Sequence, residues 1–144
     1  MKMKLYFAYG SNMSKDQMVE RCPNHKYFGH GILKGFRWII SERGYANIIK
    51  SEADVVHGVV YRILEEDEES LDTAEGVHKG SYRKETHRVE IEKTGYPCLA
   101  YVDPITEEGK PIDEYIGRIN RGVSDADLHL EYVERYIRKF VPLQ

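Results

Sequence analysis

The chain has 144 residues, 41% of them apolar, and a formal net charge of −3. That length and apolar share suit one domain, residues 1–144, with a sizeable buried core. The mildly acidic balance argues against nucleic acid or an anionic membrane surface as a partner.

Met1-Lys2-Met3-Lys4 places positive charge before an apolar run. Gly10 and Asn12 break that run too early for a signal peptide, and no segment reaches the length of a membrane span. The run itself, Leu5-Tyr6-Phe7-Ala8-Tyr9, reads as a buried strand that stops at Gly10. A helix is expected almost at once, from Ser14 to Arg21, because Ser14 and Gln17 have the spacing of a capping box. A strand turning through Gly10-Ser11-Asn12 into a helix start gathers backbone N–H groups that suit an anion or a developing oxyanion. Cys22-Pro23-Asn24 closes the helix. Cys22 and Cys98 lie far apart, and without a secretion signal they are expected to be reduced thiols of a cytoplasmic protein.

A glycine- and histidine-rich loop is expected at Phe28-Gly29-His30-Gly31. Strands follow at Gly35–Ile40, at Tyr45–Ile49 and at Asp54–Ile63, the first turned by Arg43-Gly44. The β-branched stretch Val55–Tyr61 suits a central strand, with Gly58 marking a bulge or a close backbone approach. Glu65 to Glu75 reads as a helix, with Leu64, Leu71 and Ala74 at helical spacing and an acidic, solvated first turn. Gly76 ends it. Tyr82–Lys93 reads as an exposed or edge strand, turned by Thr94-Gly95 into Tyr96–Val102. Two helices are expected at Asp113–Arg121, closed by Gly122, and at Ser124–Phe140, capped by Ser124 and Asp127. Leu130, Val133, Ile137 and Phe140 would give the last one a buried stripe. The implied class is α+β, with a curved or barrel-like sheet and helices packed outside.

Glu75 is the carboxylate to single out. It follows Leu71 by four residues, which puts it beside the buried stripe, and it sits in the last helical turn, where the dipole opposes another negative charge. Burial, dipole and neighbouring acids would all raise its pKa toward the range of a proton-shuttling base. Standing alone, a glutamate at this point would more often be a salt-bridged or frayed helix end. Its surroundings, Asp72-x-x-Glu75-Gly76-Val77 with Gly80-x-Tyr82, occur together with the N-terminal Tyr9-Gly10-Ser11-Asn12. With these two motifs in this order, the sequence resembles the γ-glutamylcyclotransferase family, including its short AIG2-like bacterial members. The likeness extends through Glu20-Arg21-Cys22-Pro23, Gly44-Tyr45-Ala46, Gly58-Val59-Val60-Tyr61, Tyr101 and Glu131-Tyr132.

The resemblance implies Glu75 as the catalytic acid/base and Tyr9, Gly10, Ser11 and Asn12 as the substrate-binding loop. It also implies Tyr82 and Tyr101 as active-site tyrosines, although tyrosines in strands commonly serve packing. The implied reaction is intramolecular aminolysis of a small γ-glutamyl amide to 5-oxoproline and a free amine, with no cofactor and no metal. A serine hydrolase built on Ser11 lacks both glycines of the nucleophile elbow. His25, His30, His57, His78, His87 and His129 show no paired metal-ligand spacing, and most are expected on the surface or in loops. Arg21 could pair with an acid on the sheet or cap its own helix. A binding module of the same fold, or an amidase in which Glu75 activates water, remains open at the level of sequence.

Overall fold

Strand β1 (Met3–Ala8) is exposed at its start and fully buried from Tyr6 onward, as its apolar run dictates. In a computed structural model, which describes residues 3–144, β1 closes a five-stranded barrel in the order β1-β3-β2-β4-β5. Met1 and Lys2, and with them the first charge of the N-terminal stretch, lie outside the described residues. Strands β2 (Lys26–Ile40) and β3 (Ala46–Leu64) form a long antiparallel hairpin, from Ile40 opposite Ala46 to Lys26 opposite Arg62. β1 lies antiparallel to β3, and Tyr6 pairs in parallel with Leu99 of β5 (Thr94–Val102) to close the barrel. β4 (Arg83–Ile91) is antiparallel to β5 along its length and meets β2 at Ile32 and Glu90. The expected α+β class with a barrel-like sheet and flanking helices is the one found.

Several boundaries differ from the sequence reading. Phe28–Gly31 is strand, not loop, and the expected strands at Tyr45–Ile49 and Asp54–Ile63 are one strand, β3. The polar patch Lys50-Ser51-Glu52 coincides with an irregularity in the ladder: pairing passes from Lys34 opposite Val55 to Phe36 opposite Lys50, so residues 51–54 bulge from β3 against Gly35 alone, whose φ is +84°. The glycines have a steric cause. A Cβ at Gly31 would come within 2.8 Å of Val60 and Val89, and one at Gly58 within 2.3 Å of the Ala8 carbonyl oxygen. Gly31 and Gly58 face each other across the hairpin, and the Phe7 ring lies against both. Gly58 therefore marks a close approach rather than a bulge. The β4–β5 turn is made by Glu92 and Lys93, both at positive φ, and not by Thr94-Gly95. Gly95 instead leaves room for the Arg88 side chain, which a Cβ there would meet at 2.4 Å.

Helix α1 (Lys15–Arg21) starts where the Ser14 hydroxyl accepts the Gln17 N–H at 3.4 Å, so this half of the capping box forms. A 3₁₀ turn at Ser11–Met13 separates it from β1. Helix α2 (Glu65–Ala74) carries Glu75 as its C-terminal cap, and Gly76 follows at φ +65°. Ala74 is exposed, and the buried residues of α2 are Asp67 and Leu71. Asp67 accepts from the Leu64 N–H at 3.2 Å and from the Asn24 N–H at 3.4 Å, which ties the start of α2 to the end of α1.

Helix α3 (Asp113–Ala126) runs straight through Gly122 and Ser124 and stops at Asp127, whose φ is +50°. Gly122 is a packing glycine: a Cβ would meet Met13 at 3.1 Å and the Gly10 carbonyl oxygen at 3.3 Å. The last helix is short, α4 (Leu130–Tyr132), and passes into a π turn at Val133–Ile137, where the Arg138 N–H reaches the Val133 carbonyl. Its buried side is Tyr132, Val133, Tyr136 and Ile137, while Leu130 is exposed. Among the described residues no helix is long and apolar enough to cross a membrane. Cys22 and Cys98 are free, buried thiols.

Candidate active site

Elements distant in sequence, from β1 to α3, meet around one cavity. β1 delivers Tyr9, whose carbonyl accepts from the Trp38 indole at 2.8 Å and whose hydroxyl donates to the Tyr101 carbonyl. The chain then bends at Gly10, where a Cβ would lie 3.0 Å from the Tyr115 hydroxyl and 3.1 Å from Ala46. α3 can press against this bend because Gly122 has no side chain. Ser11 and Asn12 open the 3₁₀ turn, so their N–H groups have no acceptor within it. α2 ends at Glu75, and the left-handed Gly76 redirects the chain through Val77–Lys79 to Tyr82.

The cavity between them opens to solvent and has a volume of about 330 Å³. Its wall includes every residue expected at the site: Tyr9, Gly10, Ser11, Asn12, Glu75, Tyr82 and Tyr101. Arg21 lines it as well. The sequence left Arg21 between two roles, and it takes neither, reaching Glu75 at 3.8 Å and the Asn12 side-chain carbonyl at 3.0 Å.

Asn12 organises this end. Its amide nitrogen donates to the Tyr6 hydroxyl at 2.8 Å and to Glu75 Oε1 at 3.4 Å. Its amide oxygen accepts from Gln17 at 2.6 Å, and Gln17 also donates to the Ser11 hydroxyl at 2.6 Å. The Gln17 side chain thus serves the bend rather than returning to the helix N-terminus as a full capping box would. The Ser11 and Asn12 side chains are committed to protein partners, which leaves backbone as the part of the bend able to meet a ligand. Tyr82 donates to the Ala46 carbonyl at 2.7 Å, and Tyr101 donates to Asp72 at 2.7 Å, so both rings are fixed in the wall.

The Glu75 side chain is 18% exposed. Burial raises its pKa above the ordinary carboxylate value; Arg21, Arg118 and Arg43, then the Asn12 hydrogen bond, pull it back. The expected neighbouring acids are not the cause. Glu68, for one, is engaged with Lys4 and Lys84 at the other end of α2. Among the described residues the cavity wall carries Arg21, Arg43, Lys79 and Arg118 against one carboxylate, Glu75, a field that favours an anionic ligand.

Sequence reasoning missed Arg43, Tyr115 and Arg118, since nothing local marks a residue that reaches the site only when α3 and the β2–β3 turn fold back. It also misplaced His30, read as loop, whereas His57 is on a strand as expected. His30 and His57 face each other at 3.1 Å, with Tyr132 stacked on His57, and none of the three lines the cavity. Among the described residues no group of three or more His, Cys, Asp or Glu side chains is placed to hold a metal ion.

Comparison with known proteins gives a consistent result. Residues 6–117 match the sequence model of the family described as gamma-glutamyl cyclotransferase, AIG2-like. The chain is 30% identical over 142 residues to a human protein named gamma-glutamylcyclotransferase, covering 91% of this chain and 76% of the relative. It is 32% identical to the mouse protein of the same name, with the same coverage. A solved structure titled gamma-glutamyl cyclotransferase superposes with a TM-score of 0.88 at 28% identity, over 99% of this chain and 90% of that one.

Proposed function

This chain belongs to the gamma-glutamyl cyclotransferase, AIG2-like family, and from that premise we propose that it converts a γ-glutamyl amide to 5-oxoproline and a free amine. The observation that carries the proposal is Glu75, a mostly buried carboxyl with a raised pKa, set beside the bend at Gly10-Ser11-Asn12 on the wall of one small cationic cavity.

The substrate brings its own nucleophile. Its α-amine attacks its γ-carbonyl, the new C–N bond closes a five-membered lactam, and the original amide C–N bond breaks. Holding the bent conformer makes the attack effectively unimolecular, an advantage of about 7–11 kcal/mol in well-oriented systems. Two protons pass overall from the α-nitrogen to the departing nitrogen. Glu75 takes one from the α-ammonium and returns it to the leaving group, a role worth about 10²- to 10⁴-fold in rate. Desolvation makes that carboxylate more basic, while Arg21 and Asn12 keep its oxygen oriented. The N–H groups of the bend face either the α-carboxylate or the tetrahedral oxyanion, and each well-aimed oxyanion donor is worth about 3–4 kcal/mol. Tyr9, Tyr82 and Tyr101 shape the wall and exclude water.

Product analysis over a panel of γ-glutamyl donors tests this reading. 5-Oxoproline with a stoichiometric amine supports it; glutamate in its place means water is the nucleophile, and no product from any donor means a binding protein. A donor lacking the α-amine is predicted to bind without reacting, and release of amine from it would contradict cyclisation.

A further inference from the structure

We infer that Arg118 is a specificity-determining residue that receives a substrate carboxylate at the α3 wall of the cavity, by exchanging its present partner Glu114 for the ligand. This rests on the cyclotransferase reading for the nature of the substrate. It goes beyond that reading in assigning a residue that neither motif contains.

The cations of the wall are not equivalent. Arg21 is spent on Asn12 and Glu75. Arg43 donates from Nε to Asp103 at 2.9 Å and from Nη2 to the Ser81 carbonyl at 3.2 Å. Lys79 is an exposed, flexible point charge. Arg118 is different. Its guanidinium lies over the Tyr115 ring, 5.1 Å from the centroid, and Nη2 reaches out to Glu114 at 2.6 Å, one helical turn back. In that position Nε is shielded from solvent and, among the described residues, donates to nothing. A buried cationic N–H without an acceptor is unfavourable, and nothing in the fold requires it.

Glu114 is a weak hold on the guanidinium, being 67% exposed and paired at the surface. A small rotation of the guanidinium over the Tyr115 face would turn Nε and an Nη toward the cavity together. A carboxylate there accepts both in the two-point fork that arginine presents, gaining two charge-assisted bonds for the one released to water. Arg118 also acts on Glu75 across the cavity, so its charge serves both ends of the site.

Two probes that cannot cyclise separate the possible sources of the carboxylate. N-glutaryl-L-alanine carries two carboxylates, and glutaric acid monomethylamide carries only the one corresponding to the α-carboxylate of a γ-glutamyl group. Their Kd values are measured by calorimetry for wild type, Arg118→Gln, Arg118→Lys and Glu114→Gln, with KM and kcat for γ-glutamyl-alanine alongside. Arg118→Gln is predicted to weaken N-glutaryl-alanine by about tenfold or more. Weakening of both probes assigns the contact to the γ-glutamyl half, and weakening confined to N-glutaryl-alanine assigns it to the leaving half. Arg118→Lys should lie between, keeping charge but losing the fork. Glu114→Gln, which removes the competing partner, should bind up to about fivefold tighter. The acid limb of kcat/KM should move to higher pH in Arg118→Gln, since a cation is withdrawn from Glu75. Wild-type and Arg118→Gln Kd values that agree on both probes overturn the assignment, as does weaker binding by Glu114→Gln or no binding by wild type. Probe binding without 5-oxoproline release sinks the function and leaves Arg118 standing; normal release with Kd untouched by Arg118→Gln does the reverse.

Discussion

At the scale of single residues the account turns on how Glu75 is balanced. Burial opposes its charge, and three arginines with one amide favour it; burial wins. A carboxyl whose folded pKa lies above its unfolded value of about 4.5 contributes stability that is full below that value and is lost as pH rises through the folded pKa. Glu75→Gln cannot ionise and escapes that loss. It is predicted to melt at a higher temperature than wild type at pH 8 and to show no advantage at pH 4. A lower melting temperature at both values would mean that the carboxylate is held by its arginines rather than strained by burial. The helix end at Glu75 was legible in the sequence from the glycine that follows it, and Glu75 was singled out there by its spacing from Leu71 and by the motif around it. Burial as the cause of its upward shift was legible too, but the cations that oppose it were not. The arginines come from positions 21, 43 and 118, and no local pattern announces that three distant cations converge.

At the scale of elements, glycine explains most of what the sequence reading placed wrongly. Gly122 reads locally as a helix stop, yet α3 continues through it because the missing side chain admits Met13 and the Gly10 carbonyl. Stop and close approach ask for the same residue, and only the tertiary fold separates them. Gly122→Val is predicted to cost about 1–3 kcal/mol by overpacking, read in urea denaturation, and to raise KM by pushing α3 away from the bend. Wild-type stability and KM together would remove α3 from the support of the site.

The β2–β3 hairpin supplies a second case. His57 is held below its usual value, at about 4, by burial first and then by His30 and His129. Its proton is bound less tightly in the folded state than in the unfolded one, so its contribution is present above pH 6.5 and lost as pH falls toward 4. His57→Phe keeps a ring against Tyr132 and removes the titration. It should lose less stability than wild type between pH 7 and pH 4, as read from urea midpoints. Parallel losses in the two proteins would show that the histidine pair does not limit acid stability.

At the scale of the whole molecule, the barrel is what turns separate motifs into a site. Part of every strand was readable from its apolar and β-branched residues, and so was the α+β class. The order β1-β3-β2-β4-β5 was not, because closure depends on one parallel pairing of Tyr6 with Leu99 that no periodicity encodes. That closure holds the bend after β1 beside Tyr101 of β5, and α2 then brings Glu75 to the same cavity. The most direct test of this arrangement is single-turnover release of 5-oxoproline from a γ-glutamyl donor that wild type processes, compared between wild type and folded Glu75→Gln protein saturated with that donor. The predicted result is a rate lower by at least about 10²-fold with donor affinity retained. A Glu75→Gln protein that turns over at the wild-type rate would contradict the account.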